Sequence, residues 1–178
     1  KMTIFFKTYL PNSIVRIFVG GLILVILFKL VNTTDYLGLG IPIIEKSFLI
    51  HADYEVFILK LIFTIITLSC GFKGGEVTPL FFIGATLGSF LSYYIPIPIG
   101  VFAAIGFVSV FSGATNTPIA CVFMAMELFG FQILPFAFIC CLTSYFCSGY
   151  TSIYTSQKIT EHKLLPKMNV IGKKISNL

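Results

Sequence analysis

Apolar stretches broken by short polar interruptions make up most of this chain, and the interruptions define the elements. Residues 1–13 form a short amphipathic lead that Pro11-Asn12 ends. Residues 14–31 are almost wholly apolar, with Gly20-Gly21 inside and Lys29 near the end. That length crosses a bilayer, which takes ~20 residues, and Lys29 can snorkel to the interface. Residues 32–55 carry Asp35, Pro42, Glu45, Lys46, His51, Asp53 and Glu55 and predict a polar connection with a short helix or two. Residues 56–70 are apolar again, apart from Lys60.

Then comes the sharpest interruption, Gly71-Phe72-Lys73-Gly74-Gly75-Glu76-Val77-Thr78-Pro79. Beyond it the pattern predicts four helices, over 78–94, 99–112, 117–129 and 133–147. Thr78 is expected to cap the first of them, with Pro79 in its first turn, where proline is tolerated. Ile95-Pro96-Ile97-Pro98 ends that helix. Each helix is shorter than a straight span requires, so they must pack on one another. Gly84 and Gly88 form a small-xxx-small pair that allows close backbone approach. A last amphipathic segment over 150–165 leads into a basic end.

Composition turns this pattern into a class. Hydrophobic residues are 57% and charged residues 11%, and mean hydropathy is +0.98. A soluble domain carries roughly 25% charged residues, so the expected fold is all-α and integral to the membrane. Domain 1–165 is transmembrane and 166–178 is a basic tail. The net charge of +5 does not indicate nucleic acid, because the basic residues lie mostly toward the two ends. Lys158, Lys163, Lys167, Lys173 and Lys174 follow the last apolar stretch. The bias of Lys and Arg to cytoplasmic flanks predicts a multi-pass cell-membrane protein with that tail inside. The chain begins at Lys1, which fits a piece cut from something longer.

Chemistry concentrates at the glycine run. The first turn of a helix has unpaired N–H groups and a partial positive charge, which suits a desolvated anion. Irregular polar backbone at membrane depth belongs where protein buries it or where it lines a cavity. The plainer reading is a turn between two spans. Glu76 is either paired with Lys73 or Lys60, or linked to a proton. Glu127 is the only charged residue from Val77 to Gln157. An intramembrane acid is a functional candidate, although this one sits at a helix end that can reach water. Tyr154 read locally is an interfacial anchor. His51 and His162 are isolated, and Cys70, Cys121, Cys140, Cys141 and Cys147 lack metal-ligand spacing and read as structural thiols. No metal or cofactor is expected.

Taken in order, these segments resemble the CLC family of chloride channels and anion/proton antiporters. Gly74-Gly75-Glu76-Val77-Thr78-Pro79 resembles the family's Gly-x-Phe-x-Pro stretch, with Val77 in the aromatic slot. Residues 106–129, with Asn116-Thr117-Pro118-Ile119 and Glu127, resemble its Pro-(Leu/Ile)…Glu segment. Ser152-Ile153-Tyr154 resembles the segment whose tyrosine hydroxyl binds the central anion. The stretch from Gly71 to Gly84 is closest to the bacterial fluoride/proton antiporter branch, where valine-threonine replaces phenylalanine-alanine.

The resemblance covers only the second of the family's two inverted halves, and the first half would carry the gating glutamate. It implies anion transport, fluoride/proton antiport when the missing half is joined, by a homodimer meeting through helices around 117–129 and 133–147. It implies that Gly75, Glu76, Val77, Thr78 and Tyr154 hold the anion, with the Tyr154 hydroxyl turned toward the backbone near Val77. The partners are a halide (fluoride or chloride), a proton and the bilayer. A chloride channel or chloride/proton exchanger is the alternative, and an inactive fragment is a second. A membrane-embedded enzyme is disfavoured, because Glu127 has no histidine partner in the apolar helices.

Overall fold

The computed structural model describes residues 2–150, 152–154, 156–157 and 163. These are helical throughout, with no strand among them. Helix α1 (Met2–Tyr9) leads into α2 (Ser13–Val31). The Asn12 side chain accepts the Ile14 N–H at 3.0 Å and starts α2, and Asn32 in the left-handed region (φ 56°) ends it. Among the described residues α2 alone is long and apolar enough to cross a membrane by itself, and 6% of it is buried. Ile14, Phe18, Leu22 and Leu30 therefore face outward.

The polar connection contains α3 (Ile41–Ser47), and α4 (Tyr54–Ser69) follows. Gly40, with φ 72°, opens α3 and lies under Phe82; a Cβ there would stand 2.5 Å from the ring. Tyr36, Phe63 and Phe82 make one buried cluster with Leu24, Leu27 and Leu59 packed on it.

Helices α5 (Val77–Leu91) and α6 (Ile99–Thr115) form the central antiparallel pair. Their backbones touch. A Cβ at Gly84 would lie 2.4 Å from the Gly106 carbonyl oxygen, and one at Gly88 would lie 2.1 Å from that of Phe102. The small-residue spacing thus does what the sequence implies. Toward the start of α5, Phe81 stacks on Phe107 with centroids 4.0 Å apart.

Helix α6 runs one turn further than the expected end at 112. Ser112 and Gly113 look like a stop in sequence, yet both pack on α8: the Ser112 hydroxyl donates to the Cys141 carbonyl at 3.0 Å, and Gly113 meets Ser144. Asn116 (φ 57°) is the actual terminator. Helix α7 (Pro118–Phe129) follows at once, then Gly130 (φ 88°), a 3-10 turn (Phe131–Ile133) and α8 (Leu134–Cys147). Val108, Cys121, Val122, Ala125, Ile133, Ala137 and Cys141 form the second core. The four helices from α5 onward have 15, 17, 12 and 14 residues, and each buries part of its surface in the bundle, as their shortness demands.

Most of the expected 150–165 segment and the 166–178 tail lie outside the described residues, as does His162. Lys163 returns to the bundle, donating to the Tyr145 carbonyl (2.7 Å), the Ser148 hydroxyl (3.0 Å) and the Asn116 side-chain oxygen.

Candidate functional site

Helix α4 closes with a Schellman arrangement. The Gly71 N–H donates to the Leu68 carbonyl at 3.2 Å, and the Phe72 N–H donates to that of Thr67 at 3.3 Å. Gly71 sits at φ 93°, a conformation glycine adopts without penalty. Arg16 on α2 holds this corner. Its Nε–H donates to the Cys70 carbonyl at 3.2 Å, and Nη2 donates to the Ser13 hydroxyl at 3.3 Å. Gly20, one turn on, presses against Cys70, where a Cβ would fall 2.4 Å from the Cys70 Cβ. Sequence reasoning missed Arg16. Its only signal was a guanidinium at the mouth of an apolar helix, with no indication of what it faced.

Residues 72–75 then run without regular structure to the start of α5. Glu76, not Thr78, occupies the cap position. It has near-helical angles (φ −88°, ψ −19°), and its side chain makes no capping bond. Thr78 is therefore inside the first turn, since the chain enters α5 already wound. Pro79 brings no N–H, which costs nothing in a first turn. The remaining donors there, the amides of Glu76, Val77 and Thr78, meet no acceptor among the described residues. Gly74 and Gly75 have open space where side chains would be, with nothing within 4 Å of a Cβ. Their backbone is bare on that side. A cleft of about 290 Å³ opens beside them, lined also by Pro79, Lys60, Thr64 and Thr67.

Tyr154 lies beyond α8, with its ring half exposed (48%). Its neighbour Ile153 donates its N–H to the Ala114 carbonyl at 2.9 Å, in the last turn of α6. Four residues back along α5, from Gly88 to Gly84, correspond to four forward on α6, from Phe102 to Gly106. The same antiparallel register sets the first turn of α5 level with the end of α6. Gly75, Glu76, Val77 and Thr78 therefore stand at the end of the helix pair where the Tyr154 segment is tied. No hydrogen bond from the Tyr154 hydroxyl is recorded among the described residues.

The expected pairing of Glu76 with Lys60 or Lys73 is absent among the described residues. Lys60 is committed elsewhere: it is 2% exposed, and its ammonium donates to the carbonyls of Gly38 (2.6 Å) and Tyr36 (3.3 Å). Glu76 is half-buried and Lys73 exposed. Glu127 is exposed at the end of α7. His51 has the Ser92 hydroxyl at 3.1 Å and the Ser89 carbonyl at 3.4 Å from Nδ1, at the far end of α5. Cys70, Cys121 and Cys141 are buried thiols within the packing.

Known proteins share much of this sequence and fold. A protein of Pseudomonas syringae pv. tomato (strain ATCC BAA-871 / DC3000) named "Chloride/fluoride channel protein" is 44% identical over 176 residues, which span 94% of this chain and 39% of that one. A solved structure described as the crystal structure of a CLC-type fluoride/proton antiporter superposes with a TM-score of 0.81 at 46% identity, over 86% of this chain and 39% of that chain. The chain thus spans about two fifths of the length of the relatives it matches. The family profile described as voltage gated chloride channel matches residues 1–149. With that match over most of its length and an all-helical fold to suit it, the chain belongs to the voltage gated chloride channel (CLC) family of integral membrane proteins.

Proposed function

We propose that this chain is the second half of a CLC-type anion transporter, and that joined to a first half it exchanges fluoride for protons. One observation carries the reading: the amides of Glu76, Val77 and Thr78 open a helix of the bundle with no protein acceptor among the described residues. Such donors suit a dehydrated anion. Gly75, Glu76, Val77, Thr78 and the Tyr154 hydroxyl are the residues assigned to it. The fluoride/proton antiporter that is 46% identical to this chain, over 39% of its own length, supports the choice of ion. Val77-Thr78 supports it as well, because a small side chain over the site leaves room for the close donors that a strongly hydrated ion needs.

The proton route belongs to the first half, whose gating glutamate the family resemblance implies. On this reading the 178 residues alone supply only part of an ion path. Dimerisation runs through α7 and α8, which leave Ile119, Phe123, Phe136, Phe138 and Ile139 exposed. The basic end is cytoplasmic by the Lys/Arg bias. A chloride carrier is the second reading, because the Pseudomonas relative's name includes both ions. Reconstituting the full-length protein in liposomes and measuring fluoride and chloride efflux separates the two. Fluoride is expected to move much faster, and equal fluxes would favour the chloride carrier.

A further inference from the structure

The transport reading leaves one buried charge unused. Lys60 is 2% exposed in the middle of α4, and among the described residues no carboxylate pairs with it. Its recorded bonds go to two neutral acceptors, the Gly38 and Tyr36 carbonyls, and its ammonium lies 4.8 Å from the centre of the Phe82 ring. An ammonium has three N–H donors, so two carbonyls do not exhaust it. Nor do neutral acceptors cancel its charge, and a buried charge without a counter-charge is costly. A neutral side chain with a donor would tie down the same loop at less cost.

The surroundings supply a reason for the charge. Lys60 lines the 290 Å³ cleft together with Gly74, Gly75 and Pro79. Those two glycines have nothing within 4 Å of a Cβ position, so they offer the cleft bare backbone just before the unpartnered amides of the first α5 turn. Thr64 and Thr67 border the cleft, but their hydroxyls donate to the Lys60 and Phe63 carbonyls at 2.7 Å, one turn back on α4. No acid lines it.

We propose that the Lys60 cleft is an anion-holding site next to the start of α5, in which the Lys60 ammonium is the fixed counter-charge for a small inorganic anion passing to or from the helix amides. The site stands on the transport reading and deepens it. Lys60 acts on the anion through its charge and at the same time orders residues 36–38 through its two hydrogen bonds.

The test uses the full-length protein containing this chain, in liposomes, with fluoride and chloride as probe ions. Lys60→Met keeps length and removes charge. At an effective dielectric near 20, losing a nearby unit counter-charge costs at least about tenfold in affinity. The half-saturating fluoride concentration should therefore rise about tenfold, with flux at saturation retained. Lys60→Arg should return it toward the wild-type value. Should Lys60→Met fail to fold, Gly74→Ala serves. Gly74 is outside the left-handed region and has no neighbour within 4 Å of a Cβ, so a methyl there narrows the cleft without a packing clash and should also raise the half-saturating concentration. A folded, active protein whose half-saturating concentration is indifferent to whichever of these substitutions folds overturns the site and leaves Lys60 as a loop tie. A wild-type protein that moves neither ion overturns the transport reading as well, which distinguishes the two failures.

Discussion

The guanidinium of Arg16 reaches across 54 positions of sequence to the carbonyl of Cys70, at 3.2 Å. The bond fastens the mouth of α2 to the last carbonyl before the glycine run. Together with the left-handed turn at Gly71, it fixes where the chain leaves α4.

Arg16→Met should loosen that corner. A hydrogen bond from a charged donor contributes about 1.5–3 kcal/mol when its acceptor is shielded, and Arg16 is half-buried. A lower thermal midpoint of the purified protein is the expected result, with Arg16→Lys recovering only part of it, because an ammonium cannot reproduce the fork.

Gly71→Ala tests the same corner from the other side. A non-glycine residue at φ 93° costs about 1–2 kcal/mol. The loss should be visible in a thermal-shift assay, and a parallel Gly74→Ala should leave the midpoint unchanged because nothing stands within 4 Å of its Cβ position.

Gly84→Leu or Gly88→Leu should be worse than either. The first added carbon alone would sit 2.4 Å or 2.1 Å from a backbone carbonyl oxygen of α6. Backbone cannot step aside as a side chain can, so the cost should meet or exceed the about 1–3 kcal/mol usual for overpacking. Loss of monodisperse protein on gel filtration is the readout.

Val77→Phe should narrow the preference for fluoride over chloride in the liposome assay. A phenyl ring over the first turn of α5 changes how closely an ion approaches the amides, and a small ion depends most on short contacts. Thr78→Ala should have little effect if only the backbone N–H binds and a large effect if the hydroxyl donates too.

Tyr154→Phe removes one hydroxyl and nothing else. If that hydroxyl donates to the anion, apparent affinity for the transported ion should fall by about ten- to a hundredfold, the equivalent of one hydrogen bond to a charged partner. Unchanged affinity would return Tyr154 to the role of interfacial anchor.

Much of the fold was legible because proline and glycine punctuate it. Pro11, Pro98 and Pro118 mark helix boundaries, and the Gly84/Gly88 spacing announced the α5–α6 contact. The errors came where a local signal had a distant cause. The helix expected to end at 112 runs on to Thr115, and its small residues Ser112 and Gly113 admit α8. Thr78 resembled a cap, but the chain is already helical at Glu76. The candidate site was half legible: the run at 74–79 stood out by composition, whereas the bonds of Arg16 and Lys60 reach partners 54 and 22–24 positions away, and no periodicity reveals these.

The contact of α5 with α6 has a mechanical consequence. Where two helices meet backbone to backbone, no layer of side chains lies between them to compress or re-pack. At Gly84 and Gly88 the position of α5 is therefore set by α6, and the Phe81–Phe107 stack carries the pairing toward the first turn of α5. On the proposed reading, an ion arriving at that turn loses water without having to order the helix, and such preorganisation lowers the cost of binding.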